Sequence, residues 1–329
     1  MKKRVGIMLL ALVMMFSVIG CKKEEKKEEK SDKKMEQKSD KKGETTAGKK
    51  KILVTSTMLT DLVRELVKDD AEVEGLLGTG VDPHEYEPSA GDVKRLKDAD
   101  IIIYSGLHLE GKMADIFEQL KKDGKVVIEA AGSLPKDKLI DWEEEGQTEE
   151  LKDPHVWNSI EMWDMVAKFV GEQLKANIEG KADAIEANYQ KYSGELKKLH
   201  EELKEQIKQI PEKSRYLITA HDAFQYLARD YGIQVKAIQG VSTETEANTK
   251  DIENLAKFIV EHDIKSIFVE SSVSDKNMKA LQEAVKSKGK EVKIGGELFS
   301  DSLGEKGTEA ETYIGMMKTN IRTIVEGLK

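Results

Sequence analysis

The chain is poor in cysteine, in aromatic residues and in histidine, and each shortage excludes something. Cys21 is the single cysteine, so no disulfide can form within the chain. Aromatic residues make up 5% of the sequence and charged residues 35%, a balance that suits a soluble protein working outside the cytoplasm. Positive charge is in deficit, with a formal net charge of −9. A Lys-rich segment near the N-terminus has the look of a nucleic-acid arm, but Glu and Asp are interleaved through it, which argues against that partner. The metalloprotease pattern H-E-x-x-H is absent, although six histidines are present.

The N-terminus is basic over residues 1–4 and apolar over 5–19. That apolar run is too short for a confident membrane-spanning helix and reads as a secretion signal, residues 1–20. Val18-Ile19-Gly20-Cys21 resembles a bacterial lipobox, which implies that Cys21 is lipidated and anchors the chain to a bacterial membrane. Residues 22–50 are almost wholly Lys, Glu, Asp, Ser, Gln, Gly and Thr and hold no aromatic residue. Such a segment cannot bury a core, so residues 21–50 read as a lipidated, disordered tether.

One long helix divides the remainder. Ile185, Tyr189, Tyr192, Leu196, Leu199, Leu203, Ile207 and Ile210 recur at steps of three and four, which places them on one stripe. Gly180 precedes the pattern and Pro211 stops it. The spacing also suits a coiled coil, but the stripe lasts only about four heptads and both flanks read as compact α/β sequence. The expectation is a stiff strut, residues 181–210, between an N-terminal lobe of 51–180 and a C-terminal lobe of 211–329.

Short apolar runs alternate with helical patterns in both lobes. Strands are expected at 52–56, 73–77, 101–105 and 126–128, then at 216–219, 235–238, 267–269 and 292–294. Helices are expected at 59–68, 90–98, 112–122 and 160–177, then at 223–231, 249–261, 276–288 and 309–328. Ser89 reads as the cap of the second helix, and Asn158 with Glu161 as a capping box for the fourth. Alternation of this kind implies right-handed parallel crossovers, hence an α/β fold in which each lobe is a small parallel sheet flanked by helices. Ligands then bind beyond the carboxyl ends of the strands, in the cleft where the lobes meet.

Four residues sit where that rule puts a ligand. Asp82-Pro83-His84 follows the second strand, Asp153-Pro154-His155 lies in the long acidic connection of 132–157, His221 ends the fifth strand, and Asp301 follows the last. A single Asp-Pro-His is ordinary turn chemistry. Its repetition, together with His221, points to three imidazoles and a carboxylate around one borderline divalent cation. His108 is the rival imidazole, and Glu270 an alternative carboxylate or supporting partner. His200 and His262 read as packing or solvated residues. The run from Gly106 to Lys112 fits G-x-x-x-x-G-K, but Met113 stands where a phosphate loop needs a hydroxyl.

Further motifs accompany these: Glu85-Tyr86-Glu87-Pro88 after His84, Gly106-Leu107-His108-Leu109-Glu110, Val156-Trp157 after His155, Thr219-Ala220-His221-Asp222-Ala223-Phe224-Gln225-Tyr226, and Phe299-Ser300-Asp301-Ser302. In these the chain resembles, from about residue 51 to 329, the TroA-like solute-binding lipoproteins of zinc and manganese ABC transporters. The stretch after Trp157 departs from the family's commoner Leu-Asp-Pro form. The resemblance implies two lobes on a rigid backbone helix and ligation by His84, His155, His221 and Asp301. It also implies delivery of Zn2+, alternatively Mn2+, to an ABC permease served by a separate ATPase. Manganese-selective members usually carry Glu in place of His221, which favours zinc. The segment 141–153 lacks the histidines common in zinc-specific members, which keeps manganese open. The expected protein is a monomeric binding protein, not an enzyme; a zinc hydrolase or a surface adhesin are the alternatives.

Overall fold

The computed structural model describes residues 48–142 and 151–329. The expected signal, Cys21, the tether up to residue 47 and the middle of the acidic connection lie outside the described residues. The first strand, β1 (Lys50–Val54), starts at Lys50, the last residue assigned to the tether by composition.

The N-terminal lobe runs β1, α1 (Thr57–Val67), β2 (Ala71–Gly75), α2 (Ala90–Asp98), β3 (Ile101–Tyr104), α3 (Ala114–Lys122) and β4 (Val126–Glu129). The four strands form one parallel sheet in the order β2-β1-β3-β4. Ile52 to Val54 and Ile101 to Ile103 are buried without alternation, as central strands of a parallel sheet covered on both faces should be. Ser89 caps α2 in a reciprocal box with Asp92.

The acidic connection is less irregular than expected. It carries a two-residue antiparallel pair, β5 (Asp141–Trp142) with β6 (Leu151–Lys152). It leads into α4 (Ile160–Asn177), whose cap is Ser159 accepting from the Met162 amide. Asn158 was the expected cap; instead its Nδ2 donates to the Ala223 carbonyl at 2.9 Å, and Glu161 pairs with Lys138. Two neighbouring residues could each start the helix, and the partner across the chain decides which one does.

The strut is α5 (Ala182–Ile207), with a closing turn to Ile210 before Pro211. Ile185, Tyr192, Leu196, Leu199, Leu203 and Ile207 are buried, each worth roughly 1.5–3 kcal/mol as area removed from water. The helix packs against α4, α1 and α9 (Tyr313–Leu328), so its apolar stripe is consumed within the chain and none is left to seed a coiled coil.

The C-terminal lobe runs β7 (Tyr216–Thr219), α6 (Gln225–Tyr231), β8 (Gln234–Ala237), α7 (Thr249–Glu261), β9 (Ser266–Glu270), α8 (Lys276–Ser287), β10 (Lys293–Leu298) and α9. Its strands form two parallel pairs, β7 with β8 and β9 with β10, and β7 lies beside β9. The β9–β10 register shifts between Ile294 and Gly296. Gly296 sits at φ 150, and a Cβ there would meet Thr323 of α9 at 2.4 Å, so only glycine permits that approach. Helices α6 and α9 start later than expected, at Gln225 and Tyr313; the residues before α6 are spent on the turn that carries His221, and a short 3₁₀ turn precedes α9. One continuous core, from Ile52 through Leu199 to Leu217 and Ile321, joins the two lobes across the strut.

Candidate metal centre

Each candidate side chain is aimed by a local device. In the loop between β2 and α2, Asp82 Oδ1 accepts the His84 amide at 2.9 Å. Asp153 Oδ1 does the same for the His155 amide at 2.9 Å, and also accepts from His155 Nδ1 at 2.7 Å. His221 lies two residues beyond β7. Glu270, the last residue of β9, accepts the amides of Ala220 and His221 on Oε1, at 2.7 and 3.0 Å, and lies 2.5 Å from His221 Nδ1 through Oε2. Asp301 follows β10, where the hydroxyls of Ser272 and Ser300 donate to Oδ2 at 3.2 and 3.3 Å. All four stand beyond strand ends or in the loops beside them, as the sheet topology requires.

The fold brings the four together, with one ligand atom of each within 4.8 Å of all the others. His155 Nε2 lies 3.3 Å from His84 Nε2 and 3.3 Å from His221 Nε2. Asp301 lies 3.3 Å from His155 Nε2 through Oδ1 and 3.1 Å from His221 Nε2 through Oδ2. A tetrahedral zinc with bonds of about 2.0–2.1 Å has edges of roughly 3.3–3.4 Å, which the separations around His155 and His221 match, while His84 comes this close only to His155. The group is closed to solvent: His155 and His221 are 0% exposed, His84 and Asp301 2%. Asp301 Oδ1 makes no hydrogen bond, a costly state for a buried carboxylate oxygen unless a cation completes it.

Carboxylates behind His155 and His221 hold the Nδ1 protons, which leaves the Nε2 lone pairs facing inward. Their electrostatics follow. Burial alone would lower the proton affinity of His155, but Asp153 and Asp301 outweigh it and raise its pKa to about 9. For His221 burial is likewise outweighed, by Glu270 and Asp301, and the pKa is raised well above the usual imidazole range. Burial pushes the Asp301 carboxyl up, but His221 and His155 hold it well below the ordinary range. In His84 burial wins over Asp301, and the pKa falls to about 3.

The other candidates are elsewhere. His108 is outside the cluster, at φ 71 and facing Trp142, with ring centroids 6.5 Å apart. Glu270 supports His221. His200 Nδ1 lies 3.1 Å from the Tyr231 hydroxyl, and His262 stacks on Phe258. In the loop that mimics a phosphate cradle, the amides of Ser105 and Gly106 already donate to Glu110, at 2.8 and 3.2 Å, so an anion would find them taken. Sequence reasoning missed the Trp157 relay. Its Nε1 donates to the Ser300 carbonyl at 2.7 Å, and its own carbonyl accepts from the Tyr313 hydroxyl at 2.7 Å. The relay ties the His155 loop to the Asp301 loop. The tryptophan two residues after His155 was the available signal.

The chain is similar to known metal-binding proteins along most of its length. The zinc-binding protein TroA of Treponema pallidum (strain Nichols) is 42% identical over 281 residues, 85% of this chain and 89% of that protein. The manganese-binding lipoprotein MntA of Bacillus subtilis (strain 168) is 39% identical over 333 residues, 99% of this chain and 100% of that protein. Among solved structures, the periplasmic zinc-binding protein TroA from Treponema pallidum superposes with a TM-score of 0.81 at 41% identity, covering 85% of this chain and 99% of that one. A manganese-bound periplasmic metal-binding protein from Candidatus Liberibacter asiaticus gives a TM-score of 0.74 at 26% identity, covering 85% and 100%. The family described as zinc-uptake complex component A, periplasmic, matches residues 52–327. The chain belongs to that family.

Proposed function

We propose that this chain is the extracytoplasmic metal-binding component of an ABC importer. It captures one divalent cation between its lobes, with His84, His155, His221 and Asp301 as ligands, and delivers it to a membrane permease driven by a separate ATPase. The observation that carries this reading is the closed group of three imidazoles and one carboxylate, with one ligand atom of each within 4.8 Å of all the others. Zinc is the favoured cargo, because imidazole suits it and manganese prefers more oxygen ligands. Manganese stays as the second reading, because the Bacillus relative is described as manganese-binding.

The residues also account for the state before capture. The carboxylates around His155 and His221 raise their affinity for protons, and an arriving cation must displace a proton held there in order to bind. A hydrolase is disfavoured, since four protein ligands leave no position for an attacking water. An adhesin role has no specific support in the site. Among the described residues no helix is long and apolar enough to cross a membrane. Membrane attachment is assigned to a lipid on Cys21 because Val18-Ile19-Gly20-Cys21 resembles a lipobox, with the residues between Cys21 and β1 as tether and the segments up to 180, 181–210 and 211–329 as lobe, strut and lobe of a monomer.

Competitive titration of metal-free protein tests the reading. One zinc per chain, displacing manganese, is expected; manganese displacing zinc would reverse the cargo, and no stoichiometric binding would overturn the function. Cys21→Ser followed by cell fractionation tests the anchor, which is wrong if the variant stays with the membrane.

A further inference from the structure

The centre is closed to solvent, so a cation can leave only if part of the cage moves. Two ligands belong to the N-terminal lobe, but the loop that carries one of them is fastened to the other lobe. Gly80 donates its amide to the Ser302 hydroxyl at 2.9 Å, and Thr79 donates to Glu305 at 2.7 Å. The third fastening lies next to the ligand itself. Thr243 Oγ1 donates to Asp82 Oδ2 at 2.6 Å, while Asp82 Oδ1 accepts the His84 amide. One carboxylate thus joins the backbone of a ligand to a hydroxyl from the opposite lobe.

Thr243 stands in the stretch between β8 and α7, which has no regular structure until Asn248 caps α7. Val241, Ser242 and Thr243 are buried, whereas Glu244, Thr245 and Glu246 are exposed. The stretch is held to its own lobe by few bonds. At its start the Ile238 and Gln239 amides donate to the Thr219 and Ala220 carbonyls at 3.3 and 2.9 Å, and Asp222 donates its amide to the Gly240 carbonyl at 3.1 Å. Beyond Gly240 the bonds are internal, the Gln239 side chain reaching the carbonyls of Thr243 and Thr245 at 3.4 and 3.2 Å and the Ser242 hydroxyl accepting the Glu244 amide at 3.2 Å. A segment with a buried tip and so few backbone bonds belongs to the low-stability end of a fold.

We propose that this stretch is a lid over the metal site and that Thr243 is its latch, a positioning residue that acts on His84 through Asp82. With the latch closed, Asp82 is held by both lobes and fixes the His84 loop against the cation. When the lid lifts, Asp82 loses its partner and His84 is the ligand freed first. The latch therefore governs how long the ion stays more than how fast it arrives. The proposal rests on metal binding at this site.

The test is zinc dissociation from the full chain, followed by transfer to a chromophoric chelator, in wild type, Thr243→Val and Thr243→Ser. Valine keeps the shape and removes the donor; serine keeps the donor. A hydrogen bond to a charged group is lost in the valine variant, so about tenfold faster release is expected, with association changed less than about threefold. Serine should restore the wild-type rate. In an Asp82→Ala background, Thr243→Val should add no further acceleration, because residues in one network are not additive. Unchanged release in Thr243→Val, failure of serine to rescue, or additive effects with Asp82→Ala would each overturn the latch. Wild type that binds no zinc would instead overturn the proposed function.

Discussion

The chain contains Asp-Pro-His twice, and the two copies do different work. Both aspartates accept the amide of their own histidine at 2.9 Å, so both make the same turn. They part at the remaining contacts. Asp153 turns back on its own loop and takes the His155 ring nitrogen at 2.7 Å. Asp82 turns outward and takes the Thr243 hydroxyl from the other lobe at 2.6 Å. One aspartate fixes an imidazole, the other fastens a loop. The imidazoles register the difference. With a carboxylate behind its ring, His155 is raised to about 9; without one, His84 falls to about 3. A tripeptide sets a turn, and the residues it meets set its chemistry.

The largest effect should come from removing the rings. His84→Ala and His155→Ala should each weaken zinc binding by more than about a hundredfold, beyond the range of changes made behind the ligands. Competitive chelator titration measures it. Equal, small losses in both would mean that the two loops are turns and nothing more. His221→Ala belongs in the same series, and unchanged stoichiometry and affinity there would remove it from the site.

The aspartates separate next. Asp153→Ala leaves the His155 ring without its partner and should cost about 10–100-fold in affinity. Asp82→Ala spares the ring and should cost about tenfold at equilibrium, through faster release. If Asp82→Ala is the more damaging, the two copies have been assigned the wrong way round.

Much of this was legible in the sequence, and the exceptions have a physical pattern. Helices with an apolar stripe, such as α5 and α7, and unbroken apolar strands such as β3 are local signals that long-range contacts did not override. That His84, His155, His221 and Asp301 come together was legible because strand ends in a parallel sheet converge, and because histidine is scarce. What failed or was missed depends on partners far along the chain. Asn158 looked like a cap until Ala223, 65 residues on, claimed its amide. Thr243 lies 161 residues from Asp82, in a stretch without periodicity, and nothing local marks it. The two-residue pair β5–β6 is too short to carry an alternating pattern.

The contrast between the histidines also predicts proton release. His84 is already neutral at pH 7, while His155 and His221 favour their protons and must lose them to ligate. Zinc binding at pH 7, measured by calorimetry in buffers of different ionisation enthalpy, should release at least one proton per ion. Affinity should rise with pH towards about 9. In Asp153→Ala the release should shrink, because the carboxylate that raises His155 is gone. Undiminished release would mean that His155 does not supply it.

The smallest effect isolates fastening from metal binding altogether. Asp61 on α1 is a second aspartate that reaches across the chain, accepting the Tyr313 amide at the start of α9 at 2.9 Å, with no imidazole involved. The N-terminal end of a helix favours a negative charge. Burial opposes it and wins: desolvation raises the carboxyl from 3.8 to about 6, against the Tyr313 amide, which lowers it. A carboxyl whose folded-state pKa is raised adds stability that is complete below its unfolded value and is lost as pH rises through the folded value. Stability from this group should therefore decline between about pH 4 and 6 and stay flat above. The interval from 3.8 to about 6 would be worth roughly 3 kcal/mol if fully expressed. Asp61 is only partly buried, so about 1–2 kcal/mol is the reasonable expectation. Asp61→Asn keeps an acceptor for the Tyr313 amide and removes the charge. It should melt a few degrees higher than wild type at pH 7.5 and at the same temperature near pH 4, with zinc stoichiometry unaltered. A lower melting temperature at pH 7.5 would show that the helix end gains more from the charge than burial costs. Asp61 would then be an electrostatic fastener rather than, like Asp82, one that works through the geometry of its acceptor oxygens.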